Sequence, residues 1–159
     1  MPTYERAIWV NAPLSTVTEF HSTADGLVAL TPSWVDLRIE SVTGPDGEAD
    51  PDVLDTGSTV TSSVSPLGLL PRQQWVSEIV ERTVGDDVAG FTDVMAAGPF
   101  PHWRHSHRFV ADEGGTIVYD RVEYRLPGGQ IGEALGHFGF LGFEPMFRYR
   151  HRKTKELLE

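Results

Sequence analysis

At 159 residues the chain has the size of one domain with a real core, and 40% apolar against 23% charged residues excludes a disordered chain. It has no cysteine, which excludes disulfides, thiolate-held clusters and cysteine nucleophiles and fits a cytoplasmic protein. A net charge of −10 argues against a nucleic-acid partner, because phosphate binding needs a positive surface, and no apolar run approaches the ~20 residues that span a bilayer.

Tyr4 to Val10 alternates in polarity, with Tyr4, Arg6, Ile8 and Val10 on one side, and predicts a strand rather than a secretory leader. Asn11-Ala12-Pro13 opens a helix, with Asn11 or Ala12 near the cap and Pro13 in the first turn. Leu14, Val17, Phe20 and His21 fall on one amphipathic face of it. A second short helix is expected over Asp25 to Leu30, ending before Pro32. From Trp34 onward the pattern is β, with Val35, Leu37 and Ile39 alternating against Asp36, Arg38 and Glu40. The Gly-, Pro- and Asp-rich stretch Thr43 to Asp55 reads as a solvated loop.

Further strands are expected over Gly57–Val64, Gln73–Glu81, Ala89–Met95, Pro101–Ala111 and Thr116–Leu126. The last two are joined as a hairpin by Asp112-Glu113-Gly114-Gly115. After Pro127-Gly128-Gly129 the pattern turns helical. Ile131, Leu135 and Phe138 share a face, continued at similar spacing by Met146, Tyr149 and Lys153. Pro145 predicts a break between Gly142 and Met146, and six glycines between Gly128 and Gly142 leave this piece helical only where packing holds it. Strands and helices are segregated, which predicts an α+β domain over residues 1–159. Its antiparallel sheet of about seven strands curls around one long C-terminal helix, with two short helices after the first strand.

The charge is skewed along the chain. Fifteen of the 23 acidic residues precede His102, whereas nine of the 13 basic residues follow it. Eleven of the basic residues are Arg, and arginine with acidic excess fits either a salt-adapted proteome or a GC-rich genome. The basic run Arg148 to Lys155 reads first as cations at the negative end of a helix dipole and second as a contact for an anionic ligand or membrane.

Period 2 puts Trp103, His105, His107 and Phe109 on one face of a strand and Val118, Asp120, Val122, Tyr124 and Leu126 on one face of the next. The flanking aromatics mark these faces as inward, and the hairpin sets Asp120 across from Phe109 or His107.

The element order, together with Phe91-x-Asp93, Gly98-Pro99-Phe100, Trp103-x-His105-x-His107-x-Phe109, Gly115-Thr116, Asp120-x-Val122-x-Tyr124-x-Leu126-Pro127 and Met146-Phe147-x-Tyr149-Arg150-His151, resembles the SRPBCC superfamily. These are the START and birch-pollen-allergen-like helix-grip proteins, and the detailed match resembles their polyketide cyclase/dehydrase-like branch. The resemblance implies a deep, mostly apolar cavity between sheet and C-terminal helix for a lipid, polyketide or aromatic metabolite.

Three readings compete for His105, His107 and Asp120. They form a structural network, an acid–base or ligand-orienting group, or a metal site for which His151 is the only further candidate. Asp93 either joins them or is a solvated edge carboxylate. Trp34, Trp75, Trp103, Tyr124 and Phe138 are candidate ligand contacts, each with plain core packing as the competing role. No metal ligand set or cofactor is assigned: there is no P-loop, dinucleotide fingerprint or Gly-x-Ser-x-Gly elbow.

The leading expectation is therefore a binder of a small hydrophobic molecule. A cyclase/dehydratase-like enzyme using His105, His107, Asp120 or Tyr124 is the alternative. A protein- or membrane-interaction module built on Phe138, Phe140, Phe143 and Phe147 is the third, with a homodimer left open and membrane contact not expected.

Overall fold

The computed structural model describes residues 1–159. Seven strands form one antiparallel sheet: β1 (Thr3–Val10), β2 (Arg38–Thr43), β3 (Thr59–Val64), β4 (Gln73–Thr83), β5 (Val88–Ala97), β6 (His102–Asp112) and β7 (Gly115–Arg125). Their spatial order is β1-β7-β6-β5-β4-β3-β2, so each strand from β2 to β7 lies beside its neighbour in sequence. Two short helices, α1 (Leu14–His21) and α2 (Ala24–Ala29), follow β1. A third, α3 (Gly129–Leu135), precedes the long α4 (Phe140–Leu158).

The alternation in β6 and β7 is realised as expected. Trp103, His105, His107 and Phe109 are buried, as are Val118, Asp120, Val122 and Tyr124, while the residues between them are partly or fully exposed. Asp112 pairs with Gly115, so Glu113-Gly114 is a two-residue turn with φ of 47° and 80°. Two positive φ values in succession match the right-handed twist of the flanking strands. The turn sets the register that pairs His107 with Asp120 and Trp103 with Tyr124.

The core has three parts. Val10, Leu14, Val17, Phe109 and Val118 lock α1 onto one end of the sheet. Tyr4, Trp103, Val122, Tyr124, Phe143 and Phe147 lock α4 across the middle. Val42, Leu54, Val60 and Ile79 close the far end. Arg6 and Tyr4 on β1 also clasp Glu144 of α4, the arginine at 2.6 Å.

Four local expectations are corrected. Pro13 is the residue before the helix, not in its first turn; its ψ of 150° keeps it extended and α1 begins at Leu14. The β pattern at Trp34 to Leu37 is instead a 3-10 turn over Ser33–Val35, ended by Asp36 in the left-handed region (φ 50°), and β2 starts only at Arg38. The helix break lies at Gly136–Phe138, a 3-10 turn, and not at Pro145. Pro145 is tolerated inside α4 because it and Leu141, whose carbonyl loses its partner, are both exposed.

The break falls where it does because the chain passes directly over Tyr124. The Tyr124 hydroxyl donates to the Gly136 carbonyl at 2.5 Å, and a Cβ on Gly139 would lie 2.3 Å from that hydroxyl oxygen. Finally, Ile131, Leu135 and Phe138 face outward (Ile131 is 73% exposed), so they are not the gripping face. That face is Phe143, Phe147, His151 and Thr154. The glycine-rich piece is apolar nearly all round, so its periodicity alone did not select a side.

Candidate functional site

Between the concave sheet and α4 lies a cavity of about 170 Å³. Its apolar wall comes from Leu27 and Leu30 of the α2 region, Val60 and Ile79 of the sheet, and Met146 and Phe147 of α4. The rings of Trp75, Phe91 and Trp103 complete it. Its polar end holds His21, Asp93, His105, His107 and Arg150.

The polar end is built by strand register. Asp93 on β5 pairs with His105 on β6, and His107 on β6 pairs with Asp120 on β7, so two carboxylates flank two imidazoles on one face. His107 Nε2 donates to Asp93 Oδ2 at 2.9 Å, and its Nδ1 lies 3.2 Å from Asp120 Oδ1 without good alignment. His105 Nε2 donates to Asp120 Oδ1 at 2.7 Å. A carboxylate can only accept, so the second nitrogen of neutral His105, Nδ1, carries a lone pair. That atom is 3.9 Å from Asp93 Oδ2 and makes no hydrogen bond with it. From α4, His151 Nε2 donates to Asp120 Oδ2 at 2.6 Å. The rings stack in a column, with Phe91 4.0 Å from His107 and His107 3.7 Å from His105 between centroids.

These contacts push neighbouring groups in opposite directions. Burial would raise Asp120, but hydrogen bonds from His105 and His151 and the close approach of His107 outweigh it and hold the carboxyl well below its usual range. Asp93 is held down in the same way by the His107 hydrogen bond and by the charges of His107 and Arg150. Burial lowers both histidines, yet His107 ends up raised because the Asp120 carboxylate lies 3.2 Å from its Nδ1 and Asp93 accepts from its Nε2. His105 ends up lowered, because the charge of His107 adds to burial and outweighs Asp120. One imidazole is thus pushed toward its protonated form beside one pushed toward its neutral form. His21 donates Nδ1–H to the Val17 carbonyl at 2.8 Å, and burial pushes it down to about 3, so it too is neutral.

Of the residues expected from sequence, His105, His107, Asp93, Trp75 and Trp103 line the cavity, and Asp120 lies directly behind the histidines. Three do not reach the wall. Trp34 is 41% exposed on its 3-10 turn, and Phe138 is 59% exposed at the helix break. Tyr124 is buried under the break with its hydroxyl spent on Gly136. Asp93 is not a solvated edge residue, since its carboxylate is engaged by His107.

Sequence reasoning missed His21 and Arg150 as site residues. His21 sat on a core face with Leu14 and Val17, which was a usable signal. Arg150 was hidden in the basic terminal run. The absence of any assigned metal set also needs amendment. Ligand atoms of Asp93, His105 and His107 lie within 4.8 Å of one another, so the geometry could hold a cation, with Asp120 orienting both imidazoles from behind.

No protein-family model and no curated protein sequence matches the chain. Solved structures do. A nucleoside-diphosphate sugar epimerase from Corynebacterium glutamicum aligns over 96% of this chain with 23% identity and a TM-score of 0.65, but the chain spans only 28% of that protein. A point mutant of Thalictrum norcoclaurine synthase bound to a transition-state analogue aligns over 99% of this chain and 93% of its own, with 12% identity and a TM-score of 0.68. A START superfamily protein from Mycobacterium smegmatis aligns over 98% of each chain, with 12% identity and a TM-score of 0.59. The seven-stranded curved sheet closed by a C-terminal helix is therefore the START-like, or SRPBCC, helix-grip fold.

Proposed function

We propose that the protein binds a small hydrophobic molecule in the cavity between the sheet and α4. The observation that carries this reading is a largely apolar, ring-walled space with its ionisable groups gathered at one end. Its volume of about 170 Å³ compares with the ~150 Å³ cavity that holds benzene. Among the expected ligand classes this favours an aromatic metabolite of one or two rings over a lipid or an extended polyketide. Trp75 and Trp103 supply the assay, because a ring entering the cavity meets both indoles and changes their fluorescence. Titration with nitrobenzene should quench that emission saturably. Leu27→Trp, which fills the space from the α2 side, should abolish the saturable part. Quenching by nitrobenzene that is linear in both proteins would refute the reading.

A second reading, an acid–base enzyme of the cyclase/dehydratase type, is favoured by the opposite directions in which the cluster pushes the pKa of His105 and His107. Paired groups whose environments push them apart are the arrangement that acid–base chemistry uses. In this reading the His105 Nδ1 lone pair accepts a proton from a bound carbonyl compound, Asp120 holds the tautomer, and Asp93 keeps His107 charged. A fold neighbour that is a synthase in complex with a transition-state analogue is consistent with a scaffold that can carry catalysis, and only that. Exchange of the acidic carbon-bound protons of a bound ketone into heavy water should be lost in His105→Ala while binding survives. Exchange unchanged in His105→Ala would remove this role.

A further inference from the structure

We infer that the ligand carries an anionic oxygen on its ring, a carboxylate or a phenolate, and that the Arg150 guanidinium holds it. The inference rests on the cavity being a binding site, as proposed above.

Arg150 projects from α4 into the polar end of the cavity. It makes no ion pair, although the carboxylates of Asp120 and Asp93 act on it through space. Those carboxylates are already engaged: Asp93 Oδ2 by His107, and the two oxygens of Asp120 by His105 and His151. The other arginines without an ion pair, Arg38, Arg108 and Arg125, are exposed and solvated. Arg150 is half-buried, lines the cavity, and has the Phe147 ring 5.8 Å from its guanidinium carbon. A cation held this way is unfavourable unless something completes its hydrogen bonds. The planar fork with five donors fits a carboxylate or phenolate oxygen better than any neutral group.

The charges around Arg150 allow an anion. From α1 it faces neutral His21. From β5 and β6 it faces Asp93, His105 and His107, with Asp120 behind them on β7 and His151 beside it on α4. With His107 protonated, the two carboxylates are balanced by His107 and Arg150, so the incoming anion joins a neutral cluster rather than a negative one. The rings of Phe91, Trp75 and Trp103 stand along the same cavity, ready to pack on an aromatic body while its oxygen points at α4.

The test uses 4-nitrophenol, whose phenolate absorbs at longer wavelength than the phenol, with nitrobenzene as its neutral counterpart. In the wild-type protein, bound 4-nitrophenol should ionise at a lower pH than it does free. The phenolate should also bind about tenfold or more tighter than nitrobenzene. Arg150→Gln should erase the shift and the preference while nitrobenzene affinity stays within about twofold. If 4-nitrophenol and nitrobenzene bind the wild type equally without a shift, the anionic ligand is refuted and the cavity reading stands. If neither binds, the cavity reading itself fails. A shift that survives Arg150→Gln assigns the anion to another group and overturns the inference. Should Arg150→Gln not fold, Arg150→Lys decides. A point charge without the fork should shrink the shift, and an undiminished shift overturns the inference.

Discussion

Asp120→Asn is the substitution that probes the polar cluster most directly. Asp120 is 3% exposed and is the shared acceptor of His105 at 2.7 Å and His151 at 2.6 Å, with His107 Nδ1 3.2 Å away. Asparagine keeps the shape and one acceptor. The His151 contact survives only if His151 turns over its tautomer, which its unpartnered Nδ1 allows. The lost quantity is the negative charge facing His107. Removing one partner of a buried charge pair costs about 3–5 kcal/mol, and the surviving amide hydrogen bonds place the expectation near the lower end, at ~3 kcal/mol.

The pH dependence is the sharper prediction. His107 is raised in the folded protein, so its stabilisation is fully present below the unfolded value of about 6.5 and is lost as pH rises through the folded value. Asp120 is depressed, so its stabilisation is present above the unfolded value of about 3.9 and is lost as pH falls below it. The difference between wild type and Asp120→Asn should therefore be greatest near pH 6 and shrink on both sides. Urea unfolding of both proteins from pH 4.5 to 9 measures the alkaline limb. A difference under ~1 kcal/mol at pH 6, or one flat from pH 5 to 9, would refute the paired-charge account of the cluster.

Other outcomes follow from single contacts. Gly139→Ala should destabilise the fold by ~2 kcal/mol or more and so lower the melting temperature, because its Cβ would collide with the Tyr124 hydroxyl; an unchanged melt would mean the break in the helix is not held there. Tyr124→Phe should cost about 0.5–1.5 kcal/mol by removing one of the hydrogen bonds to the Gly136 carbonyl, which keeps the Gly139 N–H, read by urea unfolding. His21 is depressed to about 3, so it stays neutral when folded and takes up a proton on unfolding below about pH 6.5. His21→Leu should flatten the loss of stability between pH 6.5 and 4, and an unaltered slope would contradict a neutral His21. Asp46, Glu48, Asp50 and Asp52 are all exposed on one loop, so screening by salt should raise the melting temperature of this acidic chain, and indifference to molar salt would sink a salt-adapted reading.

The sheet was largely legible from the sequence, and the reason is period. In β6 Trp103 and Phe109 bracket the histidines at period 2, in β7 Val118, Val122 and Tyr124 flank Asp120 at the same period, and a glycine turn between the strands fixes the register, so His107 opposite Asp120 could be anticipated. Trp34 to Leu37 alternates as well, but the Asp36 backbone turns left-handed and its carboxylate pairs with Arg72, so the segment becomes rim rather than strand. The C-terminal segment was not legible in the same way. Its phenylalanines surround the helix, and only tertiary contacts, Tyr124 under Gly136 and Asp120 under His151, choose which face turns inward. Arg150 followed from that choice. Once Phe147 and His151 are buried, Met146 and Arg150 fall one position earlier and enter the cavity flank, a rotation no composition of the basic run discloses.

The Glu113-Gly114 turn has a consequence for engineering and divergence. Parity, more than side-chain identity, protects this site. One residue added to or removed from either arm between the turn and His107 or Asp120, without a compensating bulge, would exchange the two faces of that strand. Ser106 or Arg108 would then stand where His107 stands, or Tyr119 or Arg121 where Asp120 stands. Length changes beyond the strand ends leave that parity untouched. Point mutations can therefore tune the cavity gradually, whereas single insertions or deletions within these arms would switch the polar cluster off in one step.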